Sequence, residues 1–128
     1  MRKLLIAIVS STLLCAALPS MAQSLPGDMH TLAGGMSAVQ AANDQAKMVS
    51  TLTEMRAAAE DAKTHTPDKL AGKADDSAEV QAYHAQLDKL IAQIDVTLKQ
   101  ANAGDLAAAK EEAKKLADIR NEGHKNFR

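Results

Sequence analysis

The sequence predicts an all-α protein, an antiparallel up-down-up-down four-helix bundle, and three observations carry that expectation. Four stretches place apolar residues at helical steps of three and four, three breaks separate those stretches, and no stretch shows the strict alternation of a half-buried strand. The links between the first and second stretches and between the third and fourth are too short for anything but a reversal, so neighbouring helices must run antiparallel.

The first 22 residues stand outside this pattern. Met1-Arg2-Lys3 is a short positive start, Leu4 to Leu18 is mostly apolar, and Ser20-Met21-Ala22 offers small residues for a signal peptidase, so 1–22 reads as a cleaved signal peptide and 23–128 as the mature domain, delivered to the periplasm. The apolar run is interrupted by Ser10, Ser11 and Thr12 and is short for a membrane span. Cys15 is the only cysteine, and Leu14 precedes it where lipid attachment requires a small residue. The mature chain is therefore expected to have no disulfide, no cysteine-based metal site and no membrane association.

Loss of the leader leaves 106 residues, enough for one core. Arg2 and Lys3 leave with it, so 13 basic residues face 16 acidic ones, a balance that argues against nucleic acid as a partner.

Leu25, Met29, Leu32, Met36 and Val39 form the apolar stripe of the first helix, which the Asn43-Asp44 pair ends. Met48, Leu52, Met55, Ala59 and Ala62 form that of the second, which must stop before Pro67. Residues 65–76 are the long loop. Asp76 or Ser77 can cap the third helix, whose buried side is Val80, Tyr83, Leu87, Leu90, Ile91, Ile94, Leu98 and Ala101, and Gly104 ends it. From Asp105 onward, Leu106, Ala109, Ala113, Leu116, Arg120, Gly123 and Phe127 continue the spacing.

In this topology the start of the first helix and the end of the fourth meet at one end of the bundle, so Met29 and His124 become neighbours. Helix four offers mainly alanines, and the mature chain has only Tyr83 and Phe127 as aromatics. Either the helices pack closely or a flat apolar ligand fills one end. A thioether and an imidazole can fill both axial positions of a haem iron and favour the reduced ion, which suits an electron carrier. Each residue also has a plainer role: Met29 as core filler, His124 as a cation complementing the helix dipole, Arg120 as a solvated edge residue.

The mature chain resembles the soluble cytochrome b562 family through Asp28-Met29-His30-Thr31-Leu32, Met55-Arg56-Ala57-Ala58-Ala59, Gln93-Ile94-Asp95 and Arg120-Asn121-Glu122-Gly123-His124. That family supplies a standard example of the up-down-up-down bundle. The resemblance implies one haem b per chain, with Met29 and His124 as axial ligands of the iron and Arg120 near a propionate. Positions 120 and 123 hold Arg and Gly where a covalent haem motif has cysteines, so the haem would be non-covalent. Tyr83 and Leu87 stand where the family's pocket is aromatic, and Gly123 where a larger residue is usual. A wetter pocket and looser haem are expected.

His30, His65 and His84 read as surface residues and lack the paired spacing of usual metal motifs. No nucleophile with a base, paired carboxylates or phosphate loop suggests an enzyme. The leading expectation is a monomeric periplasmic electron carrier docking with a redox partner that the sequence does not name. The alternative is a haem-free periplasmic helical-bundle binding or stress protein.

Overall fold

The computed structural model describes residues 23–128; the expected leader and its cleavage site lie outside the described residues. Four helices make up the fold: α1 Leu25–Ala41, α2 Gln45–Ala62, α3 Ala78–Asn102 and α4 Leu106–Phe127. Each begins at a side-chain cap that satisfies a backbone N–H left free in the first turn. Ser24 accepts from Gly27 N, Asp44 from Lys47 N, Ser77 from Val80 N and Asp105 from Ala108 N. Of the two capping candidates for α3, Ser77 takes the role. Gly104, at a φ of 79°, makes the left-handed turn that reverses the chain between α3 and α4, a conformation open to glycine without steric cost.

Cross-helix hydrogen bonds fix the directions. Gln23 N at the head of α1 donates to Asp61 Oδ2 at the tail of α2 (2.9 Å), and Gln45 at the head of α2 donates to the Ala101 carbonyl at the tail of α3 (3.0 Å). Between α3 and α4, Gln86 reaches the Ile119 carbonyl while Gln93 reaches that of Glu112, so one number rises as the other falls. All three consecutive pairs are antiparallel. The ring closes where α1 meets α4, the most sparsely packed of the four seams.

The core is a column of Leu, Ile, Met and Ala from all four helices. The α2 stripe is buried as the spacing predicts. The other three helices are rotated slightly from expectation. On α1 the buried residues are Asp28, Leu32, Gly35 and Val39, while Met29 and Met36 are half-buried beside them. On α3, Thr97 is buried and Leu98 only partly so. On α4, Arg120 is exposed rather than in core register, and Ile119 packs inward instead. The 65–76 loop also departs from expectation: a single 3-10 turn, Asp68–Leu70, drives Leu70 into the core.

At Gly35 the Met55 side chain of α2 lies directly against the α1 backbone, for a Cβ built there would meet Met55 Cγ and lie 2.6 Å from Met55 Sδ. Met55 is itself buried, so relief requires repacking. Gly34 faces open space. Gly35→Ala is therefore expected to cost about 1–3 kcal/mol through overpacking, whereas Gly34→Ala gains roughly 0.5–1 kcal/mol from helix propensity. Urea unfolding of the two variants checks this; equal shifts would contradict the close approach.

Candidate cofactor site

One end of the bundle is hollow. A cavity of about 830 Å³ lies between the start of α1, the end of α4, the middle of α3 and the 66–69 segment of the loop. Met29, Tyr83, Leu87, Arg120 and His124 all line it. The structure thus gathers the five candidate residues around one space. Its size falls within the range of small-molecule and cofactor sites, roughly 300–1,000 Å³.

The opposite end shows why the hollow forms where it does. There α4 presents Ala109 and Ala113, both buried in the same core cluster as Val39, Met48 and Ala101. Small side chains let helix axes approach, and what remains along this part of the α1/α4 seam is a shallow surface groove lined by Ser37, Gln40, Ala113 and Ala117. Toward the other end the α4 residues facing inward become Ile119, Gly123 and His124, and α1 offers Met29 and Met36. These are too few and too flexible to fill the space between two helices that no loop ties together.

The α1/α4 register can be read from two contacts. Gln40 donates to the Lys110 carbonyl (2.9 Å), and Arg120 Nη1 lies 3.9 Å from Met36 Sδ. In an antiparallel pair, facing positions keep a nearly constant sum, 150 for the first contact and 156 for the second, so His124 lies level with residues 26 to 32 of α1. Met29 sits in the middle of that span. Met36 is four or more residues beyond, about one helical turn.

Tyr83 forms the cavity's inner wall. Its hydroxyl donates to the Ala62 carbonyl (2.7 Å), and the Phe127 ring meets it edge-on with centroids 5.6 Å apart. Burial, with Asp28 nearby, pushes the Tyr83 hydroxyl up to about 12, so it remains a neutral donor. For His124, burial and the charges of Arg128 and Arg120 lower the pKa, which favours the neutral imidazole with a free lone pair. Arg120 and Arg128 line the cavity rim, and among the described residues neither is paired with a carboxylate. The site therefore combines an apolar interior, a thioether, a neutral imidazole and, at its mouth, two guanidinium groups without acidic partners among the described residues.

The family model for cytochrome b562 matches residues 24–128. The chain belongs to the cytochrome b562 family. Two proteins of Yersinia pestis, "Probable soluble cytochrome b562 2" and "Probable soluble cytochrome b562 1", are each 38% identical to it, over 128 and 129 aligned residues, with both chains covered in full. Cytochrome b562 proteins are b-type haem electron carriers, not enzymes. None of the described helices is long and apolar enough to cross a membrane.

Within this cytochrome b562 fold, sequence reasoning missed several residues of the cavity wall. Met36 and Met55 line it although both read as core, and Ile119 takes the inward place expected of Arg120. Thr66 and Pro67 bring the loop to its edge. Gly123 is half-buried, and a Cβ there would lie 3.2 Å from Gln86 Cγ, so the glycine lets the α3 side chain lie flat against α4. His30 reaches the wall only from an exposed position, and His84 stacks loosely on Tyr83 at 5.8 Å.

The least expected residue is Asp28, next to Met29 but on the other side of α1. It is 0% exposed, and neither carboxylate oxygen has a hydrogen-bond partner. Burial first, then the Asp61 carboxylate, pushes its pKa up to about 6, with His65 pulling the other way. The folded chain thus holds this proton more tightly than the unfolded chain, whose carboxyl titrates near the ordinary value of 3.8. Its contribution to stability is fully present below about pH 4 and is lost as pH rises through about 6. In haem-free protein with a chelator present, Asp28→Asn is expected to be more stable than the parent by about 1–3 kcal/mol at pH 7.5. The advantage should vanish by pH 4. Denaturant unfolding across this range measures it, and a pH-independent difference would refute the assignment.

Proposed function

We propose that the chain, freed of residues 1–22 in the periplasm, carries single electrons on one non-covalent haem b held between Met29 and His124. The observation that carries this reading is that a thioether and an imidazole from opposite ends of the domain line one cavity at the same level of the bundle. Family membership supplies the haem and the electron-transfer role.

The side chains fit that group. Leu87, Leu90, Leu116 and Tyr83 offer an apolar wall for a flat macrocycle, and the cavity opens through the seam that only non-covalent packing closes. Arg120 and Arg128 give two cations where two carboxylates would emerge, an arrangement suited to charge-assisted hydrogen bonds. His124 offers its neutral lone pair from the last turns of α4, and Met29 a soft sulfur from the second turn of α1. Bound through imidazole and thioether, haem supplies a one-electron iron couple biased toward the reduced ion. Met29 and His124 would hold the haem iron from two rigid helices, which would keep oxygen and substrate out and let little move when the charge changes. Retention rests on ligation and packing alone, because the mature chain has no cysteine. The haem-free binding-protein alternative draws support from the alanine-rich helix, but the alanines lie at the closed end and leave the cavity unexplained.

In the haem-loaded protein, Met29→Ala and His124→Ala are each expected to abolish the six-coordinate low-spin spectrum, while Met36→Ala leaves it in place. Visible spectra of the oxidised and reduced forms decide the matter. A low-spin spectrum surviving in Met29→Ala but lost in Met36→Ala would move the sulfur ligand one turn along α1.

A further inference from the structure

We propose that Asp28, Asp61 and His65 form a second site, separate from the haem cavity, that binds a divalent transition-metal cation of the zinc class. The three residues come from α1, from the last turn of α2 and from the start of the loop, and one ligand atom from each lies within 4.8 Å of the other two. His65 Nε2 is 3.3 Å from Asp61 Oδ2 and 3.9 Å from Asp28 Oδ2. A tetrahedral zinc ion with bonds of roughly 2.0–2.1 Å holds its ligand atoms about 3.3 Å apart. Of the three separations, His65 to Asp61 already matches, His65 to Asp28 needs a closing of about half an ångström, and Asp28 to Asp61, within 4.8 Å, closes by side-chain rotation as the ion binds.

Asp28 gives the cluster its direction. A carboxylate taken fully out of water demands compensation, and this one has none from the protein: both oxygens lack a donor, while the side chain points to Asp61 and His65. Two carboxylates facing each other repel unless a cation or a proton lies between them. His65 is 31% exposed and Asp61 24%, so an ion has a path from solvent and room for a water as its remaining ligand. Asp61 is further held by the Gln23 nitrogen (2.9 Å), which becomes the terminal ammonium once residues 1–22 are removed and orients the carboxylate through a charge-assisted hydrogen bond. One nitrogen and two carboxylates select a borderline transition cation over calcium, which requires six to eight oxygens. The site lies on the α2 side of α1, and neither Asp28, Asp61 nor His65 lines the cavity.

The test is calorimetric titration of zinc chloride into the mature, chelator-stripped protein, with and without haem, since the cluster does not depend on it. One zinc per chain is expected, with calcium at equal concentration failing to compete. Asp28→Asn, which keeps the shape of the side chain, and His65→Ala should each weaken zinc binding at least tenfold, while His84→Ala leaves it unchanged. Far-UV circular dichroism guards against unfolding. Absence of zinc binding, or an affinity unaltered by Asp28→Asn and His65→Ala, would overturn the site and leave a proton shared between Asp28 and Asp61 as the compensation.

Discussion

The seam between α1 and α4 is the constraint on which the rest of the molecule depends. In a ring of four helices, three seams join consecutive segments and are held by the chain itself as well as by packing. The fourth joins the first helix to the last and is held by side chains alone. Near the end of α1 and the start of α4 the buried alanines Ala109 and Ala113 and Gln40, which reaches the Lys110 carbonyl, bring the helices together and leave only a shallow surface groove. At the other end the seam stands open around the cavity. The functional site is thus the part of the core that four helices of this composition leave unfilled, and its two candidate ligands lie on the two helices that border the opening.

The charged groups divide along the same line. Exposed pairs such as Arg56 with Asp95, Lys63 with Asp88 and Lys89 with Glu122 stitch the covalently linked seams. Exposed to water and screened by salt, each adds little to stability. At the cavity mouth Arg120 and Arg128 have no acidic partner among the described residues and are solvated, while behind α1 Asp28 is buried with His65 3.9 Å away as its nearest basic group. The two features lie on opposite sides of Met29, and they motivate the haem and cation proposals respectively.

Fold class, helix order and the α2 stripe were legible in the sequence because α2 has a single apolar face and packs on neighbours along its length. The boundaries at Asp44, Ser77 and Asp105 were legible because a capping side chain has a local job that needs no tertiary context. The errors cluster on helices that border the cavity. Such a helix has two apolar faces, one for the core and one for the cavity, and periodicity averages them. Met36 therefore read as core, Met29 was placed in the same core stripe while also a ligand candidate, and the buried line through Asp28 and Gly35 was passed over. An aspartate in the first turn of a helix is ordinarily explained by the dipole, which hid the burial of Asp28, just as a loop position hid Leu70. That Met29 and His124 line one cavity followed from topology, but the sparse packing of the α1/α4 seam could not be read from spacing.

The most direct test of this account is a spectrophotometric titration of the haem-free mature protein with haemin. The account predicts saturation at one haem per chain, with the low-spin bands of a six-coordinate iron in both oxidation states. Haemin that fails to saturate, or that binds only in a high-spin form, would show that the cavity does not bring Met29 and His124 to a common iron.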